Sequence, residues 1–340
     1  MLTYTLIILF AFTMSAICGF IMIPQIISFC KKKNLYDAPD ARKIHKSAVP
    51  RLGGVSFMPS MLIATIVALL VWVSTCKCNK ICVSPWCIFF GIGITIIYIT
   101  GVIDDIFGVR ARVKLLMQIV VASLLPMSYL YINNLYGFLG IYEIPPLVGT
   151  ILTIGVLVFI MNAINLIDGI DGLSASLTLI ALSGLFFIFQ REKIWVYCIL
   201  IAGLMGVLVP FLYHNIWGKQ EKNQKIFMGD SGSLTLGYIL GVLLIKFCMY
   251  NPHVMPYQKG ATLLSVTLLL VPTFDVFRVI IVRILHRKPL FRPDKNHIHH
   301  KLMRAGMTQH QALISIVTLS IIFIIINLSL FNQLLVTWII

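Results

Sequence analysis

Long apolar runs separated by short polar loops dominate this chain. A helix crossing about 30 Å of hydrocarbon needs about 20 consecutive, mostly apolar residues. The pattern predicts ten such spans, at about 3–28, 53–74, 86–103, 113–132, 147–165, 172–190, 194–213, 231–249, 260–282 and 311–331. The last apolar stretch runs on to Ile340 and leaves room for an eleventh, short span. The first segment has the length of a signal peptide but lacks a charged start, so it reads as a retained helix. No loop is long enough to fold alone, and the expectation is one all-α, polytopic membrane helix bundle over residues 1–340.

Composition agrees with the pattern. At 59% hydrophobic and 11% charged residues, with a mean hydropathy of +0.94, the chain has more apolar surface than a water-soluble core can hide. Charge then orients it. The loops at about 29–52, 104–112, 166–171, 214–230 and 283–310, with Lys114 at the mouth of the fourth span, hold twenty Lys and Arg residues. The alternate loops hold five: Lys77, Lys80, Arg191, Lys193 and Lys259. The basic loops are therefore expected in the cytoplasm and the N-terminus outside. The net charge of +15 is mostly a topology signal, with a secondary role in holding membrane lipid or a phosphorylated ligand. Because that charge is divided among loops joined by spans, no nucleic-acid partner is expected.

The carboxylates change the picture from topology to chemistry. Of twelve Asp and Glu residues, only Glu143 and Glu192 fall on the outer side. A positive-inside protein has no topological reason to gather the other ten on its basic face. Acid and base together there point to a cation and an anionic substrate.

Five constellations carry that chemistry. Asp104-Asp105 follow an apolar span, where two adjacent acids lose water and call for a divalent cation or a base, unless they are a hydrated helix-end pair. Asn162, Asn165, Asp168 and Asp171 recur every three residues, which lines one face of a helix until Gly169 and Gly172 break it. Gly229-Asp230-Ser231-Gly232-Ser233 suits a helix N-cap and equally an oxygen ligand for Mg2+ beside phosphate. His297-Ile298-His299-His300 follows a run of Arg and Lys; with no Cys nearby, phosphate binding or proton transfer fits better than zinc. Lys46 and Arg51 approach the Gly53-Gly54 turn at a helix start, where bases hold phosphate or anchor topology. Asp275 and Arg278, one turn apart in the ninth span, read as a structural ion pair.

Together these motifs, with Asp37-Ala38-Pro39, Arg42-Lys43-Ile44-His45 and Pro50-Arg51-Leu52-Gly53-Gly54, resemble the polyprenyl-phosphate N-acetylhexosamine-1-phosphate transferases, in family order from about residue 37 to 310. Arg51 after Pro50 and the Pro293–His300 loop look more like the bacterial undecaprenyl-phosphate N-acetylglucosaminyl 1-phosphate transferases than the muramoyl-pentapeptide enzymes. The resemblance implies transfer of a sugar-1-phosphate from a UDP-N-acetylhexosamine, most often UDP-N-acetylglucosamine, to undecaprenyl phosphate, with release of UMP. It implies Mg2+, with Mn2+ as a substitute, an active site at the inner face of the bacterial cytoplasmic membrane, and compatibility with a homodimer. Asp230 matches the principal metal ligand, with Asn165 and Asp105 beside it; Asp104, Asp105, Asp168, Asp171 and His297 match catalytic positions. Lys46, Arg51, Asn162, Asn165, His299 and His300 match positions near the substrates. Another UDP-sugar, UDP-MurNAc-pentapeptide included, is the first alternative. An ion-coupled transporter is the second; it predicts acids at mid-span and inverted repeats, neither of which the sequence shows. Cys76, Cys78, Cys82 and Cys87 fall in an outward loop where disulfides are allowed, with pairing undetermined.

Overall fold

Apolar stretches in lipid must satisfy their backbone internally, and they do so here as helices. A computed structural model describes residues 2–36, 49–76, 85–252, 255–258, 260–287 and 296–337, the side chains of Cys76 and of 331–337 apart. In chain order these form α1 (Leu2–Lys33), a 3-10 turn (Gly53–Ser56), α2 (Phe57–Cys76), α3 (Pro85–Phe107), α4 (Ala111–Met127), β1 (Asn134–Phe138), β2 (Ile141–Glu143), α5 (Pro146–Ile167), α6 (Leu173–Arg191), α7 (Trp195–Leu212), α8 (Gly229–Cys248), α9 (Ala261–Leu268), α10 (Leu270–Leu285), α11 (Ile298–Arg304) and α12 (Gln309–Thr337).

Among the described residues, eight helical segments have the length and composition to cross a membrane, where the sequence pattern predicted ten. Two stretches account for the difference. The expected fourth span, 113–132, ends early: α4 has 17 residues, about 25 Å at 1.5 Å each, and the chain turns at Ser128-Tyr129, with Tyr129 at positive φ. The expected ninth span, 260–282, is two helices that meet at Leu269. Pro272 has no N–H for the Leu268 carbonyl and its ring crowds that turn, while Thr273 donates to the Leu269 carbonyl through both its N–H (3.1 Å) and its hydroxyl (2.6 Å). The all-α expectation also needs an addition. Residues 134–143 pair as an antiparallel hairpin, Asn134 opposite Glu143 and Phe138 opposite Ile141, turned by Gly137 and Gly140 at positive φ.

Helix α8 is the axis of the molecule. It is mostly apolar around its circumference and buried from Ser231 to Cys248, packed between α3 and α5. Small residues let the neighbours approach. A Cβ on Gly237 would lie 2.7 Å from Met161 Cα on α5, and one on Gly93 of α3 would meet the Tyr238 ring. Tyr238 stacks on Phe90 at 5.7 Å between centroids, a pair of about 1 kcal/mol beyond its area burial. On the other flank, α7 packs against α1, α2 and α6.

Candidate active site

The first turn of α8 is where three segments converge. Gly53 and Gly54 donate backbone hydrogen bonds to the carbonyls of Phe227 (2.9 Å) and Met228 (2.8 Å), and Phe227 donates to Pro50 (2.7 Å). That ladder fixes the Pro50–Gly54 loop against α8, and a Cβ on Gly54 would overlap the Gly232 backbone. On the opposite side Gly101 brings α3 so near that its Cβ would lie 2.5 Å from Ser231 Cα. One turn later on α3 come the two acids. Asp105 accepts from the backbone N–H of Asp230 (2.7 Å) and of Ser231 (2.9 Å), one carboxylate oxygen to each. The N-terminus of α8 is thus capped by a carboxylate from another helix. Gly229, at φ +74°, passes so close to Asp105 and the Arg51 carbonyl that no side chain fits.

Asp230 faces the remaining polar groups. Asn165, from the last turn of α5, donates to Asp230 Oδ1 and to Ser233 Oγ (2.8 Å). Lys114, from the first turn of α4, bridges Asp104 and Asp230, at 3.2 Å from the latter. Asp104 is buried, and its other oxygen accepts from Val109 N (2.5 Å). Asp168 ends α5 and has no hydrogen-bond or ion-pair partner among the described residues. Burial first, then the charges of Asp230, Asp171 and Asp105, push its carboxyl up from 3.8 to about 8. Asp171 pairs with Lys225 at 2.7 Å. Asn215 ties the segments that carry this pair, accepting from Gly172 N (2.6 Å) and donating to the Ile226 carbonyl (2.7 Å).

The histidines close one side. His299 is 1% exposed and lies against Gly169, where a Cβ would collide with its Nε2. Both its ring nitrogens are buried without a hydrogen-bond partner among the described residues, and burial, with the neighbouring His300 and His297, pushes its pKa down to about 3, so the ring is neutral. His300 stands 4.1 Å from His299 between centroids. His297 donates through Nδ1 to Asp275 at 2.7 Å.

Comparison with known proteins decides the family. Residues 87–248 match the model of glycosyl transferase family 4. The probable undecaprenyl-phosphate N-acetylglucosaminyl 1-phosphate transferase of Bacillus subtilis (strain 168) is 32% identical, over 93% of this chain and 83% of its own length. The chain belongs to glycosyl transferase family 4. Among other family 4 relatives, the decaprenyl-phosphate N-acetylglucosaminephosphotransferase of Mycobacterium leprae is 30% identical over 82% of this chain and 72% of its own. The undecaprenyl-phosphate alpha-N-acetylglucosaminyl 1-phosphate transferase of Yersinia pestis is 25% identical over 84% and 74%.

In this family 4 chain the structure gathers Asp104, Asp105, Asn165, Asp168 and Asp230 around the α8 N-terminus, with Asp171, His297, His299 and His300 beyond the Gly169 turn. Asn162 stands apart: its amide pairs with Gln118 of α4 at 2.7 Å. Arg51 presents its carbonyl to Gly229, and its side chain is half-buried. Lys46, Asp37-Ala38-Pro39, Arg42–His45 and Pro293–Lys295 lie outside the described residues, as do Cys78, Cys82 and the Cys76 side chain. Sequence reasoning missed Lys114, counted only as a topology charge, although a cation in the first turn of a helix opposes the helix dipole and needs an acid nearby. Lys225 too was counted only as a topology charge, and Asn215 gave no signal, because their partners come from elsewhere in the chain.

Proposed function

We propose that this protein transfers N-acetylglucosamine-1-phosphate from UDP-N-acetylglucosamine to undecaprenyl phosphate, releasing UMP and forming the lipid-linked diphosphate sugar that starts a cell-envelope polysaccharide. The relatives' names support the substrates. The observation that carries the reading is the acid cluster at the end of α3, α5 and α8, at the rim of the apolar spans, where a lipid acceptor meets a water-soluble donor. Acids at helix ends rather than at mid-span give no support to a transporter.

The residues fit a divalent cation. Four carboxylates gather here: Lys114 bridges Asp104 and Asp230, Asp105 is taken up by the backbone N–H groups of α8, and Asp168 is left without a partner among the described residues. Among those residues no three His, Cys, Asp or Glu side chains converge as a closed metal cage. Mg2+ keeps waters and takes one or two carboxylates together with substrate phosphates. Asp230 would hold it, with Asn165 alongside, and it would neutralise the diphosphate and stabilise the UMP leaving group.

The chain's own part is positioning. Asn165 and Lys114 fix the Asp230 carboxylate, and Asp105 fixes the backbone that carries it. Lys114 also supplies a cation beside the two acids, where phosphate oxygens gain negative charge. An acceptor phosphate monoester with a second pKa of about 6 is already ionised at neutral pH, so orientation matters more than proton removal. The Lys and Arg distribution supports placing this site at the cytoplasmic face of the inner membrane.

The test is UMP release by purified protein in detergent, with Mg2+, undecaprenyl phosphate and a panel of UDP-N-acetylhexosamines. Lipid- and Mg2+-dependent UMP from UDP-N-acetylglucosamine is expected, and Asp230→Ala is expected to abolish it. Wild-type protein that releases no UMP from any donor would overturn the reading.

A further inference from the structure

Asp275 does more than pair with Arg278. Its carboxylate, 2% exposed on α10, accepts three hydrogen bonds: from Arg278 Nη2 (2.7 Å), from Ile298 N (2.9 Å) and from His297 Nδ1 (2.7 Å). Arg278 in turn donates to the Asn296 carbonyl. The pair therefore grips both sides of His297, from Asn296 to the first residue of α11. A buried carboxylate can only accept from the ring, so Nδ1 carries the proton and Nε2 is left with its lone pair. No described residue bonds to Nε2. The His297 ring stacks parallel to His299 at 5.9 Å, and His299 rests on Gly169, the neighbour of Asp168. His297 is thus tied from α10 to the turn that carries an active-site acid.

We propose that Asp275 is a positioning residue that acts through His297: it fixes the Nδ1–H form of the ring and presents Nε2 to the substrate, while Arg278 locks the backbone on which His297 stands. This rests on the transferase reading above. An orienting carboxylate behind a histidine is worth far more than its own hydrogen bond, because the wrong tautomer offers a proton where a lone pair is needed. Asp275→Asn keeps the shape but can donate to Nδ1 and so turn the ring to the Nε2–H form.

The experiment compares wild type, Asp275→Asn, Asp275→Glu, His297→Ala and the double variant Asp275→Asn with His297→Ala, in Mg2+-dependent UMP release with undecaprenyl phosphate. Asp275→Asn is expected to lower kcat by about 100-fold with KM for the UDP-sugar changed less than about threefold. The double variant is expected to be no slower than His297→Ala alone. Asp275→Glu, which keeps an acceptor for Nδ1, is expected to recover about tenfold over Asn.

Losses that multiply in the double variant, or a wild-type rate for Asp275→Asn, would overturn the inference while leaving the transferase reading intact. A wild type with no UMP release would sink the transferase reading instead. If Asp275→Asn does not fold, 15N spectra of histidine-labelled wild type decide: a His297 signal with protonated Nδ1 and bare Nε2 upholds the inference, and the opposite tautomer refutes it.

Discussion

Asp168, at the end of α5, has no ion-pair partner among the described residues, and its titration is readable in stability. Its pKa is about 8 in the folded protein against 3.8 for a free side chain, so between those values the folded state holds a proton that the unfolded chain has released. Stability of the metal-free protein should therefore fall as pH rises from about 4 through about 8. Asp168→Asn, which cannot ionise, should flatten that decline, and added Mg2+ should reduce it in the wild type. Thermal unfolding in EDTA across that pH series, with and without Mg2+, measures both. Lys114 is the complementary case. Removing it leaves Asp104 and Asp230 without their shared ammonium, so Lys114→Ala should cut UMP release by about 100-fold or more and lower the melting temperature, whereas Lys114→Arg should keep the fold.

Elements meet here through glycine, and only some glycines matter. Gly54 has no room for a methyl group because the Gly232 backbone occupies it, while Gly155 on α5 faces open space. Gly54→Ala is expected to yield aggregated or unfolded protein in size-exclusion chromatography. Gly155→Ala should remain monodisperse with an unchanged or slightly higher melting temperature, since alanine favours a helix by about 1 kcal/mol over glycine. Asp105 acts at this scale as well. Both its oxygens hold the first turn of α8, so Asp105→Asn, which keeps one acceptor of two, should lower turnover and also the melting temperature. A loss of turnover with unchanged melting would mean that the cap is not what Asp105 supplies.

For the whole molecule, the asymmetry of Lys and Arg sets the prediction. The loop at 214–230 should face the cytoplasm and the β1–β2 hairpin the exterior. In intact cells a membrane-impermeant maleimide should label Leu139→Cys above the parent background and leave Asn223→Cys unlabelled until the membrane is opened; the reverse pattern would invert the topology.

Much of this was legible in the chain because a membrane imposes a simple code. Apolar length dictates spans, basic loops dictate sides, and acids at the ends of apolar segments cannot be there for solubility. Asp104, Asp105, Asn165, Asp168 and Asp230 could all be named before any contact was known. The period of three that grouped Asn162 with Asn165 and Asp168 was less reliable, because α5 ends at Ile167 and Asn162 turns to Gln118 on a different helix. Hydropathy likewise ran through Leu269, where the missing N–H of Pro272 divides the ninth span into α9 and α10.

The sequence by itself determined a multi-pass helical protein with an acidic and basic site at one end, since lipid solvation acts on each segment separately. Only the tertiary structure decided that Asp105 caps α8, that Lys114 bridges two acids and that Asp275 holds His297. Those partners come from different helices and loops, most of them far apart along the chain, and close helix packing in three dimensions is what brings each donor to its acceptor.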